Sequence, residues 1–249
     1  MVSPRQSAVE ALAVTRSFGR ETILRDVSLT VRTGESVSIT GPSGCGKTTL
    51  LSILALLLVP DAGEVRVDGA GASGVSDAER SRLRNRFFGY VFQATHLVGS
   101  LTVLDNVLVP ALLAGEGRRR REQARQLLAS LGLDNRENHL PHMLSLGQRR
   151  RVALARALVM EPPFILADEP TNDLDPRRAE QIARFLLDLP RQGHALVLVT
   201  HDAALAKSTG VQYRMHDGGL TAAGGARTEP VPGENSGSRS RRLNGGRLA

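Results

Sequence analysis

Residues Gly41 to Thr49 read Gly-Pro-Ser-Gly-Cys-Gly-Lys-Thr-Thr, and no other stretch of the chain restricts its fold so tightly. The run matches G-x-x-x-x-G-K-[ST], a loop whose backbone N–H groups wrap a polyphosphate. Such a loop needs a strand before it and a helix after it, with the positive end of the helix dipole facing the anion. Both neighbours are present, the β-branched run Ser36 to Thr40 and the apolar run Leu50 to Leu58. Gly41, Gly44 and Gly46 let the backbone approach closely, and Pro42, Ser43 and Cys45 complete the loop. Lys47 is expected to bridge the β- and γ-phosphates and the Thr48 hydroxyl to ligate Mg²⁺, with Thr49 closing the motif. Cys45 reads as a small loop residue, not a redox centre.

Downstream, Phe164-Ile-Leu-Ala-Asp168-Glu169 is an apolar strand ending in two carboxylates. A side-by-side pair of buried carboxylates is costly without a cation, which points to a metal site. Asp168 is expected to hold Mg²⁺ through its water shell. Glu169 is placed to accept a proton from an attacking water.

The rest of the chain organises around these two strand ends. Ala8 to Thr15 and Ile23 to Val31 alternate apolar and polar residues, as antiparallel strands with one wet face do. Gly63 to Asp68 alternates again, and Asp77 to Arg86 has the composition of a short polar helix. From about 97 to 160 helical patterns dominate, which predicts a helical lobe inserted into an α/β core. Phe164 to Ala167 and Ala195 to Thr200 are compact apolar runs suited to buried parallel strands. Asp175-Pro176 opens the helix between them as N-cap and first-turn proline. One nucleotide-binding domain is thus expected over residues 8–222 and a disordered basic tail over 223–249.

Composition excludes several classes. One cysteine, Cys45, rules out an internal disulfide framework. No apolar run reaches the roughly 18–20 residues of a membrane-spanning helix, and Met1 to Glu10 lacks a signal-peptide pattern; a cytosolic chain is expected. The net charge of +7 invites nucleic acid as a partner, yet its excess sits in the run Arg118 to Arg121 and in the tail. Neither place interleaves aromatic side chains for base stacking, so no nucleic-acid partner is expected.

Five further motifs stand in order after the phosphate loop or before it: Phe18, Gln93 in Tyr-Val-Phe-Gln, Leu144-Ser145-Leu146-Gly147-Gln148, Asn172-Asp173-Leu174-Asp175, and His201 in Val-Thr-His-Asp. With the loop and the acidic strand end, they resemble the nucleotide-binding cassette of ABC transporters over about Ala8 to Leu220. The resemblance implies a P-loop NTPase core of the α/β class, a mixed sheet with antiparallel N-terminal strands, carrying the helical subdomain. It implies Phe18 stacked on adenine, Gln93 at the Mg²⁺ and water site, His201 at the γ-phosphate and Asp175 near the nucleotide. It also implies that Ser145, Gly147 and Gln148 meet the γ-phosphate of a second cassette, so that two copies, expected as a homodimer, close head to tail over two ATP. The engine would power a separate integral membrane permease from the inner face of the cell membrane.

Two departures stand out. Leu146 replaces the first glycine of the usual Leu-Ser-Gly-Gly-Gln, where a side chain could crowd the neighbour's nucleotide or demand a backbone unlike glycine's. Asn172-Asp173 differs from the commoner residues of that turn. Within the family, the segments around Asp168 and Gln93 are most similar to lipoprotein-releasing and macrolide- or peptide-exporting systems. The rival readings are a cassette acting on nucleic acid and a cassette driving a membrane regulator.

Overall fold

The computed structural model describes residues 6–223. The tail assigned to 223–249 therefore lies, from residue 224 onward, outside the described residues. The chain opens with a long hairpin, β1 (Ala8–Phe18) and β2 (Glu21–Arg32), followed by β3 (Ser36–Thr40), α1 (Lys47–Leu54), β4 (Ala62–Val67) and β5 (Ala70–Gly71). Next come α2 (Asp77–Phe87), β6 (Phe88–Val91), α3 (Val103–Leu113), α4 (Gly117–Ser130) and α5 (Leu146–Leu158). The remainder is β7 (Phe164–Asp168), α6 (Pro176–Asp188), β8 (Ala195–Val199), α7 (Ala203–Lys207), β9 (Val211–His216) and β10 (Gly219–Ala222).

The strands form two sheets, an antiparallel one built on the N-terminal strands and a mixed one at the centre of the fold. A four-stranded antiparallel sheet has the order β2-β1-β4-β5, and a six-stranded sheet the order β10-β9-β3-β8-β7-β6. In the larger sheet β9, β3, β8, β7 and β6 run parallel and β10 pairs antiparallel with β9. α1 packs against β1 and β2 of one sheet and β7 and β8 of the other. Its apolar residues Leu50, Leu51, Ile53 and Leu54 are buried on nearly every side.

Side chains of a strand alternate between faces, and β7 and β8 use both faces for burial. Phe164 and Leu166, with Ala195, Val197 and Val199, join the core that contains α1. Ile165 and Ala167, with Leu196 and Leu198, face a second core built on α3, α4, α5 and α6. Continuous apolar runs in these strands follow from that double burial. The helical lobe is thus packed onto the far face of the same strands that carry the carboxylates.

One helix differs from its sequence expectation. The apolar run suggested a helix over Leu50–Leu58, whereas α1 begins at Lys47 inside the loop and ends at Leu54. Leu56 takes a left-handed backbone, φ 58°, and its carbonyl accepts from Arg84 Nη1 at 3.0 Å. No helix among the described residues is long and apolar enough to cross a membrane.

Candidate functional site

The parallel register brings the chemistry to one edge. Ile39 lies opposite Val199, Val199 opposite Asp168, and Ala167 opposite Val91. The chain therefore leaves the sheet at a common level at Thr40, at Asp168–Glu169, at Thr200–His201 and at Phe92–Gln93. Open parallel sheets bind ligands at this carboxyl edge.

The loop from Gly41 to Gly46 turns directly into α1. Gly46 caps the helix with φ 104°, a conformation glycine adopts freely. A Cβ there would stand 2.8 Å from Leu24 Cδ2 and 3.0 Å from Ile23 Cγ2, so only glycine fits between the loop and β2. The Lys47 ammonium donates to the carbonyls of Gly41 at 2.9 Å and Pro42 at 2.8 Å. Its charge is thereby held over the hollow of the loop, beside Pro42, Ser43, Gly44 and Cys45. Thr49 follows as the third residue of the helix.

Thr48 points the other way, and its hydroxyl donates to Asp168 Oδ2 at 2.8 Å. Asp168 is only 4% exposed. Its second oxygen, Oδ1, is buried without a hydrogen-bond partner. Burial raises the pKa of this carboxyl, the Thr48 hydrogen bond opposes the rise, the charge of Glu169 adds to it and Lys47 opposes it. A buried carboxylate oxygen with nothing to bind is a ligand position for a cation. The donors at hand, a hydroxyl and a carboxylate, are the hard oxygens that Mg²⁺ takes when phosphates and waters complete its shell. Among the described residues no cluster of three or more His, Cys, Asp or Glu could hold a metal by itself.

Glu169 is strained into place. Its φ is 46°, a left-handed conformation that a non-glycine residue adopts at a cost. The turn is held by its N–H bonding to the Val199 carbonyl at 2.9 Å. The result separates two adjacent carboxylates, with Asp168 turned to Thr48 and Glu169 turned to β8's end. Glu169 Oε2 lies 2.9 Å from His201 Nδ1 and accepts from the His201 backbone N–H at 3.3 Å. The His201 ring itself is largely exposed.

Other predicted residues stand apart within the chain. Gln93 is exposed in the loop after β6, and no hydrogen bond among the described residues joins it to Asp168 or Glu169. It lines a cleft of about 680 Å³ with His96, His142, Leu146, Arg149 and Asp173. Phe18, 49% exposed at the end of β1, lies under the Arg16 guanidinium at 5.0 Å from its ring centre. Its ring is open to a stacking partner.

Ser145 caps α5 through a capping box. Its hydroxyl accepts from the Gln148 N–H at 3.3 Å, and Gln148 Oε1 accepts from the Ser145 N–H at 2.9 Å. Gly147 sits against α6, where a Cβ would come within 2.8 Å of Arg178 Cδ. Asp175 caps α6, accepting from the Arg178 N–H at 3.1 Å. No hydrogen bond or ion pair among the described residues connects Ser145, Gly147 or Asp175 to the phosphate loop. Leu146 is the first residue of α5 and has an ordinary negative φ. The backbone there asks nothing that leucine cannot adopt, so the concern about a glycine-only conformation is removed and only side-chain crowding remains.

The family profile described as ABC transporter matches residues 24–172, a span that includes the phosphate loop, the Gln93 loop, the α5 cap and the acidic strand end. The chain belongs to the ABC transporter family. It is an ATP-binding cassette of the ATP-hydrolysing kind. The lipoprotein-releasing system ATP-binding protein LolD of Bacteroides thetaiotaomicron is 45% identical over 82% of this chain and 95% of its own length. That of Bordetella pertussis is 50% identical over 80% of this chain and 87% of its own. The macrolide export ATP-binding/permease protein MacB of Marinobacter nauticus is 43% identical over 90% of this chain, which spans 36% of that protein. Among solved structures, the dimeric MJ0796, a bacterial ABC transporter cassette, is 38% identical over 85% of this chain and 96% of its own, with a TM-score of 0.79. A dimeric post-hydrolysis state of the same cassette bound to ADP and Pi aligns with a TM-score of 0.76.

Two cassette residues escaped the sequence reading, Arg150 and Arg156 of α5. Arg156 donates to the carbonyls of His96 and Thr95, each at 2.8 Å. Arg150 donates to those of Phe92 and Asn172. In the sequence both are arginines on a helix rich in arginine, and no local pattern marks Arg150 as buried or Arg156 as half-buried.

Proposed function

We propose that two copies of this cassette close head to tail over two MgATP, hydrolyse them, and so drive a membrane permease of the export or lipoprotein-releasing kind. The observation that carries the reading is the division of groups within one chain. Lys47, Thr48, Asp168, Glu169 and His201 converge on one edge, while Ser145, Gly147 and Gln148 form a polar helix start that does not reach it. A second copy would bring that helix start, with its positive dipole end, to the γ-phosphate. The names of the LolD and MacB relatives support the permease class, and the dimeric neighbours support the closed pair. Such a subunit works at the inner face of the cell membrane.

Each residue then has a task. The loop amides from Gly41 to Gly46 and the Lys47 ammonium hold the phosphates, and Phe18 offers its ring to adenine. Thr48 and Asp168, with Gln93 from the next loop, would hold Mg²⁺, which when bound neutralises charge on the phosphates. Glu169 accepts the proton of the water that attacks the γ-phosphorus. The bond from that phosphorus to the bridging oxygen breaks, leaving ADP and phosphate. His201 orients Glu169 and offers a donor to the γ-phosphate. Asp175 keeps α6 and the turn before it in register beside the partner's nucleotide. Closure favoured by ATP and lost on hydrolysis supplies the free-energy difference that moves the permease.

The test is the Glu169→Gln substitution. The variant should bind ATP without turning it over and elute as a dimer on gel filtration in MgATP. Elution as a monomer with normal turnover would remove Glu169 as the base.

A further inference from the structure

Arg150 occupies a place that no part of the hydrolytic scheme uses. It stands in the second turn of α5, only 3% exposed. Its guanidinium reaches out of the helix in two directions. Nη1 donates to the carbonyl of Phe92 at 3.2 Å, immediately before Gln93. Nη2 donates to the carbonyl of Asn172 at 3.3 Å, immediately before Asp173. Its Nε is buried and unpartnered; burial lowers its pKa, and the charge of Asp173 opposes the fall. Arginine stays protonated in such a setting and keeps its planar fork. A buried charge held by two carbonyls is a costly device for stability alone, since an apolar side chain of similar volume often serves as well.

We infer that Arg150 is a positioning residue that ties the Gln93 loop and the Asn172–Asp173 turn to the helix that begins at Ser145. The three segments belong to different functions in the proposed cycle. Gln93 serves this chain's own metal site, Ser145 and Gly147 serve the partner's nucleotide, and the Asn172–Asp173 turn precedes the Asp175 cap. One rigid fork makes their positions interdependent, so that a shift of the Gln93 loop moves the α5 start with it. The strained backbone beside one of the two carbonyls fits this role, since Asp173 has φ 60°. The cleft bounded by Gln93, Leu146 and Asp173 opens beside the same guanidinium. The inference rests on the two-cassette reading, because the Ser145 end matters to turnover only if a partner's nucleotide meets it.

The experiment compares the full-length wild type with Arg150→Met, which keeps length without charge, and Arg150→Lys, which keeps charge without the fork. Glu169→Gln is run beside them as the control on the two-cassette reading. Four quantities are read: kcat and KM for MgATP, the Hill coefficient, and hydrogen exchange of residues 92–96 and 172–174 with and without MgATP. Arg150→Met should lose about tenfold in kcat, the size of one charge-assisted hydrogen bond, with KM changed less than about twofold. Its Hill coefficient should fall toward one, and ATP should no longer protect the two segments together. Arg150→Lys should recover part of kcat, since an ammonium reaches one carbonyl but not both. Unchanged kcat and Hill coefficient in Arg150→Met, or a loss in KM alone, would overturn the inference. If Glu169→Gln binds MgATP without turning it over and still elutes as a monomer on gel filtration, the two-cassette reading fails separately, whatever Arg150 does.

Discussion

Asp168 is the residue on which the metal reading turns, because one of its oxygens has a partner and the other has none. Desolvation raises its pKa, so the folded chain binds that proton more tightly than the unfolded chain does. The sign follows from linkage: the ligand-free fold is favoured below the unfolded pKa and loses stability as pH rises through the folded one. Asp168→Asn removes the charge and with it the slope. Without nucleotide the variant should match or exceed the wild type near neutral pH, by about 2–4 °C in Tm if the relief is about 1 kcal/mol. With MgATP the order should reverse, because the variant keeps the loop but loses its charged metal ligand. Calorimetry from about pH 4 to pH 8 checks both halves, as the slope is a linkage property. A wild type whose ligand-free stability does not fall relative to the variant as pH rises would show that Asp168 is not an uncompensated buried carboxylate.

At the scale of elements, α5 carries both the capped start at Ser145 and the departure at Leu146. Leucine is a better helix former than glycine by nearly 1 kcal/mol, and the capping box already fixes the first turn. The start of α5 is therefore stiffer than a Gly-Gly sequence would make it, and it carries a side chain on the rim of the cleft. Leu146→Gly should turn over ATP faster with the permease present and unfold at a lower temperature. Unchanged or slower turnover would show that the leucine does not crowd the partner's nucleotide. The caps of α5 and α6 were legible in the sequence because Ser145-x-x-Gln148 and Asp175-Pro176 are local signals. The carboxylate strand and the phosphate loop were legible for the same reason. The end of α1 was not, since Leu54 to Leu58 is apolar without a stop signal and the break is a left-handed Leu56. Nor were β9 and β10, whose hairpin turns at Asp217-Gly218 after a strand that is mostly unburied. Arg150 was hidden because Arg149, Arg150 and Arg151 are identical in the sequence, and only tertiary packing buries the middle one.

The whole molecule has two cores that share one sheet. The first is built around α1 and the nucleotide loop, the second around α3, α4 and α5, and β7 and β8 contribute alternate residues to each. The Gln93 loop leaves that shared sheet and is held by Arg150 and Arg156 of the helical lobe. A change at the nucleotide edge can therefore be passed to the lobe through a contact of backbone carbonyls, with neither core repacked. Isolating the Glu169→Gln form in MgATP from detergent-solubilised host membranes should bring down a multi-span membrane protein in roughly equal amount, since the stalled pair would be held in its coupled state. The same isolation with Lys47→Ala, which removes the ammonium proposed to hold the phosphates, should recover less of it, because closure would no longer be stabilised. If both forms brought down only soluble protein or nucleic acid, the permease partnership would fall while the ATPase cassette stood, and the shared-sheet linkage would have to serve some other receiver. Equal recovery with both forms would instead mean that the permease binds the cassette whether or not it is closed, and that ATP changes the shape of the assembly without changing its membership.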